Sequence, residues 1–268
     1  MLEISEIMAM RARPSALSYD EYLQQGVDDY NNTQGNLTGL DCQKCRNRGY
    51  FWKVVLAQDL GQSYQVSYEC ECMNIRRNME RITRSGLAEM MSSYTFENYK
   101  TQEVWQQKIM KAAMDYLESD EAWFFIGGQV GCGKTHICTA IVSNFMNSQK
   151  KSAKYMLWRD DITQLKANVM NDSEYKKIIE VYKRVDVLYI DDFFKTEEGK
   201  NPTQADINIA FEIINARYNS KKRTLISCEK SINEILDIDE AVGSRVFQMT
   251  REYCLNIGKD RSKNMRLK

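Results

Sequence analysis

Residues Gly128-Gln-Val-Gly131-Cys132-Gly133-Lys134-Thr135 fit the spacing G-x-x-x-x-G-K-[ST]. Backbone N–H groups in such a loop curl around a phosphate, and the helix that follows adds its partial positive charge. Lys134 would reach the β- and γ-phosphates of ATP, and the Thr135 hydroxyl would bind Mg²⁺. The candidate nucleotide-binding residues are therefore Gly128, Gly131, Cys132, Gly133, Lys134, Thr135 and His136. The chemistry also needs an acid at the tip of a neighbouring strand, and the apolar run VLYI-Asp191-Asp192 supplies one. Asp191 would hold the magnesium and Asp192 would polarise the attacking water. Asp192 is one methylene shorter than glutamate, which implies slow hydrolysis.

A second chemistry lies upstream. Cys42-x-x-Cys45 and Cys70-x-Cys72 put four thiolates on two tight turns, a set that closes tetrahedrally around one Zn²⁺. With no open position the metal would be structural and would supply folding energy to a segment with little core of its own. An iron–sulfur cluster or unpaired thiols are the alternatives. Cys132, Cys138, Cys228 and Cys254 are scattered and read as small apolar residues. The single histidine, His136, excludes a His-based triad or a His-rich metal site.

The elements that must position these groups follow from periodicity. Leu2, Ile4, Ile7, Met8 and Met10 predict a short amphipathic helix over 2–12, and a second short helix covers Tyr19–Gln25. The polar stretch Asp28–Gly39 reads as a loop, and the alternation in YFWKVVLAQ and SYQVSYEC as a β-hairpin between the cysteine pairs. Arg76, Arg77, Arg81 and Arg84 fall on a basic linking helix. From Thr101 helices and strands alternate: a helix at 102–118, a strand at Trp123–Ile126, a helix at Lys134–Ser148, strands at 153–158 and 185–190, a helix at Gln204–Tyr218 and a strand at 223–227. Continuous apolar strands alternating with helices mark a parallel sheet covered on both faces.

The chain has 268 residues, and its 37 Lys+Arg cancel its 37 Asp+Glu, so no global field draws it to nucleic acid or membrane. Hydrophobic content of 43% fills an ordinary soluble core. No apolar run approaches the ~18 residues a membrane helix needs, and the start lacks a secretory h-region. A cytoplasmic location without membrane contact is the expectation.

The order of features resembles the AAA+ family, and specifically the replicative helicase loaders of the DnaC/DnaI type found in Gram-positive bacteria and their phages and mobile elements. The resemblance is carried by CQKCRNRGY with ECEC, the basic stretch before SYTFENY, GGQVGCGKT, VDVLYIDDFFK, RTLISCEKS, DEAVGSRVFQM and KNMR. It implies an α/β fold, an AAA+ P-loop core whose parallel sheet is sandwiched by helices, preceded by a small helical and zinc-binding region. No large C-terminal helical lid is implied, and the chain ends where that core would. Residues 1–75 would be the helicase-binding region, with the zinc module at about 41–73, then a basic linker helix at 76–93 and the ATPase domain at 94–268.

By the same resemblance Arg245 in GSR is the arginine finger that contacts the γ-phosphate bound by a neighbouring copy, with Arg251 a second candidate, and Arg266 occupies the sensor-2 position. At sensor 1 the family commonly places Asn after Ser or Thr, whereas here Ser227-Cys228 precedes Glu229. A carboxylate there would repel the γ-phosphate unless protonated or turned away, which makes Ser227 the alternative. Phe96 and Tyr99 pack either near the adenine or in the core. The implied partners are the hexameric replicative helicase, held by the first helix (Leu2, Ile7, Met8) and the zinc module, single-stranded DNA along 76–84 and 259–268, and further copies of the chain across nucleotide-bridged interfaces. The implied function is ATP-switched loading of that helicase onto single-stranded DNA. The alternatives are an IstB-like transposition helper, a P-loop kinase, which would need an acceptor pocket and an Arg-rich lid, neither found between Asp160 and Lys183, and a zinc adapter with a static ATP site.

Overall fold

A computed structural model describes residues 17–57, 61–197 and 200–267. The helix expected over 2–12, with Leu2, Ile7 and Met8, lies outside the described residues. The chain divides into two units, Met1–Met79 and Glu80–Lys268.

In the first unit, helix α1 (Tyr19–Asn32) starts at a capping box in which the Glu21 N–H donates to the Ser18 hydroxyl and the Ser18 N–H donates to the Glu21 carboxylate. It buries Leu23 and Val27. Strands β1 (Tyr50–Ala57) and β2 (Gln62–Glu69) form the expected antiparallel hairpin, with Phe51 opposite Tyr68 and Val55 opposite Tyr64. The loop expected from Asp28 is helical as far as Asn32. The cause is tertiary: the Asn31 side chain donates to the Trp52 carbonyl and accepts from the Trp52 N–H, both at 2.9 Å, and the Tyr30 ring meets Trp52 edge-on. These contacts hold the last helical turn against the hairpin, a gain local polarity does not register. Helix α2 (Cys72–Ser85) begins at the fourth cysteine of the cluster.

In the second unit the short α3 (Ala88–Met91) and α4 (Val104–Glu118) precede the sheet. The chain then runs β3 (Trp123–Gly128), α5 (Lys134–Ser148), β4 (Ala153–Leu157), α6 (Trp158–Ala167), α7 (Asp172–Arg184) and β5 (Val187–Asp191). It continues through α8 (Gln204–Ser220), β6 (Arg223–Cys228), α9 (Ile232–Ile238), α10 (Glu240–Thr250) and β7 (Cys254–Ile257). All five strands are parallel, in the order β4-β5-β6-β3-β7. Alternate residues of one strand serve opposite faces: Trp123 and Phe125 enter the core that contains α8 and α10 residues, while Phe124 and Ile126 enter the core that contains α5 residues. This is the expected AAA+ sandwich, with each central strand buried on both sides. The strand expected at 153–158 ends at Leu157, and Trp158 opens α6 instead. Strand β7 was not expected, because its four residues carry too short a pattern and become a strand only by pairing with Phe125–Gly128. Among the described residues no helix is long and apolar enough to cross a membrane.

Candidate functional site

The phosphate-loop residues lie where β3 ends and α5 begins. Gly128 has φ +105°, and a Cβ there would lie 1.9 Å from the Ile257 carbonyl oxygen of β7. Gly133, the residue before α5, has φ +86° and stands 3.0 Å (as Cβ) from the Tyr99 ring. Only glycine fits both positions. The Lys134 ammonium donates to the carbonyls of Gly128 (3.0 Å) and Gln129 (2.7 Å), folded across its own loop.

Strand order makes the rest of the site. Because β6 lies between β3 and β5, its Ser227 stands next to the acid at the tip of β5. Asp191 is buried and gathers four donors: the hydroxyls of Thr135 (3.2 and 3.3 Å to its two oxygens), Tyr155 (3.0 Å) and Ser227, and the Asp192 N–H (3.1 Å). The Thr135 hydroxyl and the Asp191 carboxylate thus face one another as a pair of hard oxygen ligands would around Mg²⁺.

The next turn is bent sharply. Asp192 and Phe194 have φ +54° and +55°, a left-handed conformation costing on the order of 1 kcal/mol or more per residue. It is held by the stacked rings of Phe193 and Phe194 (4.2 Å), both edge-on to Trp158, and by the Phe193 N–H donating to the Ser227 carbonyl (2.9 Å). This turn sets Asp192 within 2.8 Å of the Lys195 ammonium, which also lies 2.8 Å from Glu229. Burial pulls the Lys195 pKa down, but its bonds to the two carboxylates outweigh that and hold it above the ordinary lysine value. The Glu229 carboxylate is therefore paired with a cation that it shares with Asp192.

The other expected residues are placed differently. The Cys132 side chain is buried, so only its backbone is available to a phosphate. The His136 Nε2 lies 2.7 Å from the Thr95 carbonyl and its ring stacks on Tyr94, which engages it with the segment before α4. Phe96 and Tyr99 both pack in the core beside α5, and the buried Tyr99 hydroxyl has no hydrogen-bond partner among the described residues. The Arg245 guanidinium donates to Asn215 (3.1 Å) and the Ala241 carbonyl (2.8 Å) and lies over the Phe211 and Tyr218 rings; among the described residues it pairs with no carboxylate. Arg251 is bound to Glu121 at 3.3 Å. Arg266 is exposed, but its neighbour Met265 donates its N–H to the Gly131 carbonyl (2.9 Å), so residues 264–266 lie against the phosphate loop. Tyr155 and Lys195 were not singled out in the sequence, whereas KNMR and Arg266 of this closing segment were. Lys195 alone had a usable signal, a cation three residues after Asp192.

In the basic stretch, Arg76 donates to the carbonyls of Thr38 and Leu40 and to Asn47, Arg77 pairs with Glu69 (2.6 Å) and Arg84 with Glu80 (2.5 Å). These arginines are engaged within the chain.

Cys42, Cys45, Cys70 and Cys72 come together with all four sulfurs within 4.8 Å of one another. Cys42 and Cys70 Sγ are 3.8 Å apart, Cys45 and Cys72 Sγ 3.5 Å. A tetrahedral ion with Zn–S bonds of ~2.3 Å needs sulfur–sulfur edges of ~3.8 Å, so the donors fit one four-coordinate metal. Burial opposes ionisation of Cys45, but the Gly49 N–H and the neighbouring thiols outweigh it and bring its pKa to about 7.

Residues 90–250 match the family of the bacterial DnaA ATPase domain. YqaM of Bacillus subtilis is 32% identical over 205 residues, covering 73% of this chain and 64% of that protein. The replicative helicase loader DnaC of Buchnera aphidicola (Schizaphis graminum) is 30% identical over 157 residues, 56% of this chain and 62% of that one. The chain thus spans slightly under two thirds of either relative. The crystal structure of the DnaC helicase loader superposes with a TM-score of 0.53 over 64% of this chain and 99% of that one, at 19% identity, a likeness of fold.

Proposed function

The chain belongs to the family of the bacterial DnaA ATPase domain, and from that premise we propose that it is an ATP-switched loader of the hexameric replicative DNA helicase onto single-stranded DNA. The observation that carries the reading is the convergence of Lys134, Thr135, Asp191 and Ser227 at the ends of β3, β5 and β6, in a chain that also holds a four-cysteine cluster. Lys134 would leave its two carbonyls for the phosphates of ATP, Thr135 and Asp191 would hold Mg²⁺, and Asp192 would orient the attacking water. Arg245 would reach the nucleotide of a neighbouring copy, and Arg266 would sense the bound phosphate from the segment that lies on Gly131. Zn²⁺ on the four cysteines would stiffen the helicase-binding region of residues 1–75, ahead of the linker at 76–93 and the ATPase domain at 94–268. Bound nucleotide would shift the affinity for helicase and DNA. A second reading, an adapter with slow or static nucleotide turnover, is favoured by Lys195, which ties Asp192 to Glu229 and leaves the shorter acid less free to work on water.

Native mass spectrometry of the chain with Mg·ATP and its host's replicative helicase tests the proposal. The expected species carries one zinc and one nucleotide per chain in a discrete complex with the hexamer. Zinc and nucleotide without any helicase complex would refute the loader and leave an ATPase with another partner.

A further inference from the structure

The hairpin of the first unit has two unlike faces. Trp52 and Gln65 lie on the side bound by α1, through the Asn31 bonds and a 2.7 Å bond from Gln65 to the Leu23 carbonyl. The alternate positions, Phe51, Lys53 and Val55 on β1 with Tyr64, Val66 and Tyr68 on β2, form the opposite side. Tyr64 and Tyr68 are 47% and 40% exposed, and Lys53 is exposed. Phe51 packs against the cysteine cluster and Val55 and Val66 are half-buried, so the solvent-facing part of this side is Lys53 with the Tyr64 and Tyr68 rings, apolar surface that invites a partner. No carboxylate stands among these six positions.

The cations choose the occupant. Phe51 and Tyr68 stack at 5.8 Å, and the Lys53 ammonium lies 5.7 and 5.8 Å from their ring centres. Lys44, from the first cysteine turn, lies 5.6 Å from the Phe51 ring and shares its charge with Glu71 at 2.9 Å. Lys53 has no ion pair among the described residues. In register, the Lys53–Val66 pair sits midway between the Phe51–Tyr68 and Val55–Tyr64 pairs, which at ~3.3 Å per residue are ~13 Å apart. The centres of protein–protein contacts are depleted in lysine, and an ammonium buried there would be desolvated at a cost unless the other protein brought a carboxylate to it. A nucleic-acid strand resolves this, because its bases stack on exposed rings while its phosphates meet the cations between them.

We propose that this hairpin face binds single-stranded DNA, its bases stacking on Tyr64 and Tyr68 and its phosphates meeting Lys53. The proposal rests on the reading that single-stranded DNA is a partner, and gives that partner a surface in the cysteine-cluster unit, apart from Arg76, Arg77 and Arg84, which bond within the chain.

The test is fluorescence anisotropy of a labelled 20-nucleotide oligothymidine with the full-length chain, across a salt series, with zinc content and ATP binding recorded as measures of folding. The double variant Tyr64→Ser/Tyr68→Ser is expected to bind about tenfold more weakly or worse. Tyr68→Phe keeps wild-type affinity. Lys53→Gln, exposed and neutral to folding, lowers the slope of log K against log salt by about 0.7 and decides the question if the double variant loses zinc. Unchanged DNA affinity and salt slope in these variants would overturn the assignment while leaving the loader intact. Loss of the helicase complex with DNA binding untouched would overturn it in favour of a protein-docking face. A wild-type chain that binds no oligothymidine would overturn both this assignment and the single-stranded DNA partner itself.

Discussion

At the residue scale the site is a balance of charges around one buried carboxylate. Asp191 is held by four donors, whereas Asp192 and Glu229 share the single ammonium of Lys195. Replacing Lys195 by alanine strands two carboxylates beside the place where the γ-phosphate is expected. Lys195→Ala is expected to weaken ATP binding roughly tenfold, the scale of one lost charge-assisted contact, and Glu229→Gln in that background to recover most of it. Titration with a fluorescent ATP analogue reads both; equal affinity in all three proteins would remove Lys195 from the electrostatics of the site. Lys134→Ala, by contrast, is expected to abolish nucleotide binding in the same assay while the thermal melt stays unchanged. The sequence posed Glu229 as a puzzle next to phosphate, and its answer, Lys195, stands only three residues past Asp192. The cation itself was visible in the sequence, but its pairing with Glu229 was not, because that needs β5 and β6 to be neighbours, so that Asp192 and Glu229, 37 residues apart, share one cation.

At the element scale the strained turn after β5 depends on the rings that clamp it. Trp158 is buried against Phe193 and Phe194, and Trp158→Ala is expected to cost ~3–5 kcal/mol of stability and to slow ATP turnover as Asp192 loses its fixed position; chemical denaturation with a parallel turnover assay measures both. Retained turnover in a folded variant would mean that the turn does not govern Asp192. Helix α8 offers a pH test. Burial alone would raise the Asp206 pKa, but the Lys166 ammonium (2.8 Å) and the Thr203 donors outweigh it and hold it below the usual carboxylate value. A lowered folded-state pKa stabilises above the unfolded value, about 3.9, and that stabilisation is lost as pH falls through the folded value. Asp206→Asn is therefore expected to lower the melting temperature by about 2–4 °C at pH 7, for a loss of ~1 kcal/mol, and the gap to wild type should narrow as pH drops below about 4. A gap constant with pH would assign the loss to packing instead of charge.

At the scale of the whole molecule, two units carry two kinds of stability. The first has a short helix, a hairpin and a cysteine cluster, a small core to which a metal on the four cysteines would add folding energy. The second buries its sheet on both faces. Chelation is expected to abolish a separate melting transition of the first unit, with release of one zinc per chain, and to leave ATP binding by the second unchanged; calorimetry with metal analysis reads this. An unchanged thermogram after complete metal removal would rule out a structural metal. By itself the sequence determined the alternation of helices and strands, the phosphate loop with its acid, and the cysteine pairs, because periodicity, glycine conformation and ligand spacing are local properties. Only the tertiary structure decided that β7 exists, that α1 runs on to Asn32, that Ser227 and Tyr155 bond to Asp191, that Lys195 bridges Asp192 and Glu229, and that the hairpin leaves Tyr64 and Tyr68 exposed. Each of these depends on strand order or on contacts between distant segments, and such contacts leave no periodic trace along the chain.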